Sequence, residues 1–178
     1  MKDRVLATIT LAALLVTGCG IAINRASDYD RFRDPEIAMV LRNFNLAAIR
    51  EGDLARDHAT AQPVKDFGAM MASEHAQSNS KTENELAKKE IFSADSNLSR
   101  QIDSDSGKIV ENLRTRSGAD FDRAYIDRSI TFHRYIVDTI DKTLKPAAKA
   151  KQVKAALDET RAAAEKHLAK AEEIRKGL

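Results

Sequence analysis

The sequence predicts an all-α fold built from four long helices, and three observations carry that prediction. The composition favours helix formers: there is no Trp, only 7 Gly and 3 Pro occur in 178 residues, and Ala, Lys, Glu, Leu and Ile dominate. Apolar residues recur every three to four positions in four separate segments. Each segment is bracketed by residues that start or stop helices.

In chain order, MKDRVLATITLAALLVTGCG comes first: a charged start (Lys2, Arg4), then an apolar run from Val5 to Val16 that is too short to span a bilayer comfortably. The run ends in Val16-Thr17-Gly18-Cys19, which is similar to a bacterial lipobox. The expectation is a lipoprotein signal peptide over 1–18, cleaved so that Cys19 carries diacylglycerol and an amide-linked acyl chain. At about 0.8 kcal/mol per buried methylene, several acyl chains anchor durably. Gly20, where inner-membrane retention signals carry Asp, resembles the sorting pattern for the outer membrane, with the chain facing the periplasm. Cys19 is the only cysteine, so no disulfide forms within one chain.

Residues 19–33 read as the lipidated Cys and a tether, because apolar spacing is lost, and 34–178 as the bundle domain. Asp34-Pro35-Glu36 supplies an N-cap, a first-turn proline and an acid at the positive end of a helix dipole, so the first helix starts there and runs to about Ala59. Pro63 restarts the pattern, and Val64, Phe67, Gly68 and Met71 carry a second helix to about Ile91. From Phe92 to Gly118 the period weakens, and this stretch reads as a long connection with one short helix at Ile109, Val110 and Leu113. Ser117 to Asp120 caps the third long helix, which ends at Leu144 before Lys145-Pro146. The fourth covers roughly Lys151 to Lys176 and stops at Gly177. A four-helix bundle whose long connection lies between helices 2 and 3 follows, with a ferritin-like crossover as the expected path and an all-antiparallel path as the alternative. The Val-Lys openings of the second and fourth helices, each with an inward His downstream, hint at a duplicated hairpin.

At 100° per residue, all four histidines fall on core-facing stripes, one per long helix: His58 (towards the edge of its stripe), His75, His133 and His167. Glu51 lies mid-stripe on the first helix, where a carboxylate demands an explanation. Counted from the first helical turn under the crossover path, Glu51, His75, His133 and His167 come within about one turn of each other. His58, Asp122 and Tyr125 form a polar layer nearer that end. A Glu with three His suits a divalent transition metal such as Zn, Fe or Cu. Ala72, Ile130 and Ala164 stand three residues before the histidines, so the Glu-x-x-His pattern of di-iron bundles is absent. The competing reading is a layer of neutral imidazoles that hydrogen-bond to Glu51, Ser129, Tyr125 or Thr160 and fix helix register. Imidazole nitrogens more than about 6 Å apart exclude a shared ion, since each sits about 2 Å from it.

The segments DPEIAMVLRNFNLAAIREGDLA, VKDFGAMMASEH, FDRAYIDRSITFHRYIVDTIDKTL and EKHLAKAEEI together resemble an uncharacterised bacterial family of secreted or lipid-anchored proteins with a ferritin-like bundle. The resemblance covers roughly 34–176 and marks His75, Asp122, Tyr125, His133 and His167. It departs on the first helix, where the family carries an acid four residues before the glycine and this chain has Ala48; Glu51, one turn on, is the candidate replacement.

The sequence has no phosphate-binding glycine loop, G-x-S-x-G, Cys-x-x-Cys or zincin motif, and a near balance of 29 Lys/Arg against 27 Asp/Glu argues against nucleic acid. A hydrolase built on His133 and Asp122 is disfavoured, because three helical turns separate them. Two readings remain: a non-catalytic structural or interaction module of the envelope, with an envelope protein as partner, and a metal-binding or redox bundle.

Overall fold

A computed structural model describes residues 32–178, and among them the chain is all-helical. The expected signal peptide, Cys19 and most of the tether lie outside the described residues. Five long helices pack together: α1 (Asp34–His58), α2 (Gln62–Ala87), α3 (Asn97–Arg114), α4 (Gly118–Thr139) and α5 (Lys151–Arg175). Among the described residues no helix is long and apolar enough to cross a membrane.

The first correction concerns α3, an 18-residue helix where the sequence suggested a loop with one short helical piece. Ser96 caps it, accepting from the Ser99 amide at 3.0 Å while the Ser99 hydroxyl accepts from the Ser96 amide at 2.9 Å. Its buried positions are Ser99, Ile102, Ser106 and Leu113, a helical spacing in which two of four residues are serine. Hydrophobic periodicity cannot register a stripe of that kind. α3 packs on α1, where the Asn43 side chain donates to the Ser99 carbonyl at 2.8 Å. Covered by α2 on one side and α3 on another, α1 buries residues well beyond one stripe, including Ala38, Asn43, Ala47 and Leu54.

Hydrogen bonds at the two ends fix the path. Ala94, just before α3, donates to the Pro35 carbonyl at the start of α1, so α2 ends and α3 begins at that end. α3 then carries the chain to the opposite end, where Leu113 and Phe121 share a cluster with Leu54 and Val64 near the α1–α2 turn. α2 and α4 therefore run in the same direction, each antiparallel to α1 and α5. α4 continues past Thr139 through a π turn (Ile140–Leu144) and a short helical piece (Lys145–Ala147). The wider turn accommodates Pro146, which has no N–H to offer and whose ring would strike a carbonyl of a regular helix.

Both helical turns are built alike. Ala59-Thr60-Ala61-Gln62-Pro63-Val64-Lys65 precedes and opens α2, and Ala148-Lys149-Ala150-Lys151-Gln152-Val153-Lys154 does the same for α5. Asp122 accepts from the amides of Thr60 (2.9 Å) and Ala61 (2.8 Å), while Asp34 accepts from those of Lys149 (2.9 Å) and Ala150 (2.8 Å). An aspartate at the start of each hairpin thus holds the turn of the other. Asp34 serves this turn instead of capping its own helix, whose N-cap is Arg33.

α1 and α2 approach closely at one pair of glycines. A Cβ on Gly52 would lie 2.7 Å from the Gly68 carbonyl oxygen, and one on Gly68 would lie 2.7 Å from that of Gly52. Only glycine at both positions permits this backbone separation.

The apolar interior forms two clusters. One holds Val40, Leu41, Phe44, Phe132, Ile136, Ile140 and Leu157; the other holds Leu54, Val64, Phe67, Met71, Phe121, Tyr125 and Ala171. Between them sit the buried polar residues Asn45, His75, Ser129, His133 and His167.

Candidate metal centre

One side chain from each of α1, α2, α4 and α5 reaches this level. His75 is 5 % exposed, His133 2 % and His167 4 %, and Asn45 completes the layer at 1 %. The ring centroids are 5.0 Å apart for His75–His167, 5.2 Å for His133–His167 and 5.9 Å for His75–His133. One nitrogen of each imidazole lies within 4.8 Å of one on each of the others. That satisfies the distance criterion for a shared ion. Closing to the roughly 3.4 Å between ligands of a tetrahedral ion at about 2.1 Å requires each ring to move by about 1 Å or less.

Each imidazole is hydrogen-bonded through one outward nitrogen, and these bonds set the tautomers of the neutral rings. His133 Nδ1 lies 2.8 Å from the Ser129 carbonyl, which only accepts, so Nδ1 carries the proton and Nε2 the lone pair. His167 Nε2 lies 2.9 Å from the Glu74 carboxylate, which leaves its lone pair on Nδ1. His75 Nδ1 lies 2.8 Å from Asn45 Oδ1, which leaves its lone pair on Nε2. The remaining nitrogens, His75 Nε2, His133 Nε2 and His167 Nδ1, are buried and without a partner. Each histidine therefore brings to the interior one lone pair and nothing that shares it.

Burial keeps His75 and His133 neutral. Desolvation, reinforced by His167 and His133, pushes His75 down to about 3. For His133, desolvation outweighs the opposing bond to the Ser129 carbonyl, and His167 and Arg128 add to it, giving about 4. Neutral imidazole is the ligating form. An outward N–H given to a carboxylate or carbonyl is the usual second shell of a ligating histidine.

The other expected site residues go elsewhere. Glu51 is buried, but its carboxylate accepts two bonds from Arg128, both 2.9 Å, and it is not part of the histidine group. Arg128 also lies 4.4 Å above the Phe132 ring. Glu51 misses the layer because α1 and α2 meet in a tight turn: Asn45 lies as many residues before Ala59 as His75 lies after Ala61, and Glu51 is six residues, about 9 Å, short of that level. His58 is exposed and stacks on Phe121 at 6.1 Å, so it leaves the expected buried layer; it is the last residue of its helix, beyond the reach of the core. Tyr125 is buried among Phe67 and Phe121. Asp122 is buried at the α1–α2 turn, far from the histidines along α4. Burial raises its pKa, but the hydroxyl and amide of Thr60 and the amide of Ala61 outweigh that and bring it below the ordinary value.

Two residues around the cluster escaped sequence reasoning. Glu74 is half exposed and reads as a surface carboxylate on α2. Asn45 had a signal: it follows Asp34 by the same interval as His133 follows Asp122, so the paired turns make Asn45 the counterpart of His133.

A family model described as a domain of unknown function, DUF4142, matches residues 24–174. The chain belongs to this family. The matched stretch takes in all five helices of the DUF4142 domain, apart from the last residue of α5, and every residue of the layer. Among curated proteins and among solved structures, none matches this DUF4142 chain.

Proposed function

We propose that this DUF4142 domain binds one divalent transition-metal ion (Zn, Cu or Fe) through His75, His133 and His167, inside a ferritin-like bundle anchored by a lipid on Cys19 to the periplasmic face of the outer membrane. The observation that carries the metal is the set of three buried, unpartnered imidazole nitrogens whose proton positions are fixed from outside. A water in their midst donates only two protons to three lone pairs, whereas a cation satisfies all three. The crossover carried by α3 supports the ferritin-like path, and the lipobox-like Val16 to Cys19 supports the anchor. Isothermal titration of metal-free protein with Zn²⁺ tests this reading. One ion per chain is expected, with no heat of binding in the His75→Ala/His133→Ala double mutant; equal titration of both proteins overturns it.

A second reading has one specific observation in its favour. The Asn45 amide nitrogen is also buried without a partner. If that amide is turned over, it donates to His75 Nδ1 and leaves His75 Nε2–H to share with the neighbouring rings. The layer is then a hydrogen-bonded register device in a non-catalytic structural module of the envelope. The same titration separates the two.

A further inference from the structure

The three histidines carry no negative charge of their own and lie inside the bundle, so a hydrated cation needs both a route to them and a group that draws it in. α2 packs mainly on α1, and α5 mainly on α4, which leaves a seam between α2 and α5 where the two hairpins meet. A cavity of about 50 Å³ lies in that seam. Its lining joins buried His75 and His167 to Glu74, Ser78 and Ala163, which are exposed or partly exposed. The Glu74 carboxylate is 53 % exposed and accepts from His167 Nε2–H at 2.9 Å, so one side chain touches both solvent and a candidate ligand. Two turns along α2, exposed Lys81 pairs with Glu159 of α5 across the same seam at 2.7 Å. Pairs this exposed hold their helices together only weakly, because water competes for both partners.

Resting on the metal reading above, we infer that the ion enters through this α2–α5 seam and that Glu74 is its first protein ligand, a carboxylate that captures the cation at the surface and passes it to His167 and His75. A single water needs about 10–15 Å³ of such space, so the cavity admits an ion with a few waters and excludes the full shell of a hydrated divalent cation. Protein oxygens must replace the waters shed on the way. The Glu74 carboxylate, with the Ser78 and Thr160 hydroxyls that also line the cavity, supplies them. As a negative charge in solvent, Glu74 also raises the local concentration of cations. Swinging it from His167 onto an arriving ion breaks one hydrogen bond, which water replaces. Its return to Nε2–H restores the bond that orients the ring towards the loaded site.

The test follows Co²⁺ uptake by the metal-free full chain in a stopped-flow spectrometer, through the visible d–d bands, and its release into excess EDTA. Glu74→Gln keeps an oxygen for His167 but loses the charge, so uptake should slow about tenfold or more and lose most of its dependence on salt. Glu74→Asp keeps the charge on a shorter arm; uptake should stay close to the wild-type rate while release quickens, because the bond to His167 is strained or lost. Ala163→Leu narrows the cavity from its partly exposed side and should slow uptake and release by the same factor, with affinity unchanged. A Glu74 that only orients His167 would alter release alone. Glu74→Gln protein that loads at the wild-type rate therefore overturns the inference, as does a folded Ala163→Leu protein in which neither rate changes. A wild-type chain that takes up no Co²⁺ is the distinct outcome that removes the metal reading itself, and this inference with it.

Discussion

Asn45 touches His75 through a single hydrogen bond, and its side chain separates ligand orientation from ligand identity. Asn45→Leu should lower Zn²⁺ affinity by about 10- to 100-fold, as loss of an outer hydrogen bond usually does, with stoichiometry unchanged in a competition titration against a chromophoric chelator. Glu51 makes the opposite prediction. Its pair with Arg128 is buried on the Glu51 side and about one-fifth exposed on the other. Glu51→Ala should cost about 3 kcal/mol in urea unfolding and leave metal content untouched; a protein that loses its metal would return Glu51 to the site. The histidines were legible in the sequence because a titratable ring on an apolar stripe is conspicuous. Asn45 was not, because an asparagine near Phe44 and Ala48 carries no ligand signature until the helix turn fixes its level. Glu74 sits on the solvent side of its helix, and only its reach back to His167 reveals it.

At the scale of elements, α1 and α2 cross in close backbone contact at Gly52 and Gly68. Alanine is the better helix former by about 1 kcal/mol, yet either Gly→Ala change puts a methyl within 2.7 Å of a backbone carbonyl that cannot step aside. The clash prevails, and a net loss of roughly 1–3 kcal/mol is expected by denaturant unfolding; stabilisation would mean the two helices slide apart freely. The four bundle-lining helices were readable because their buried residues sit at helical spacing: Val153, Leu157, Thr160, Ala164, His167, Ala171 and Ile174 are the whole buried face of α5. α3 defeated the same method because Ser99 and Ser106 occupy its buried stripe, where small size serves close packing on α1 better than hydrophobicity does. The repeated Ala-x-Ala-x-x-Val-Lys turns, visible only as a Val-Lys echo in the sequence, acquire meaning through Asp34 and Asp122, which come from elsewhere in the chain.

For the molecule as a whole, the polar layer divides the core and makes stability depend on pH when no metal is bound. His75 and His133 have folded pKa values lowered to about 3 and about 4, against about 6.5 unfolded. The folded state then binds fewer protons than the unfolded state, so this stability is present in full above about pH 6.5 and drains away as pH falls towards the folded values. Between pH 7 and pH 5 His75 and His133 should each cost the metal-free protein about 2 kcal/mol, and replacing His75 by Leu should flatten that slope by about half in paired urea melts. Asp122 adds a smaller term of the same sign at lower pH, since its folded pKa is also depressed. The central claim, that the layer exists to hold an ion, is tested most directly by elemental analysis of the protein purified from a bacterial periplasm without a histidine tag, beside the His75→Ala/His133→Ala double mutant. Near-stoichiometric transition metal that vanishes in the mutant is the result this account predicts. A metal-free native protein whose mutant is merely less stable would contradict it and leave the imidazoles as a register device.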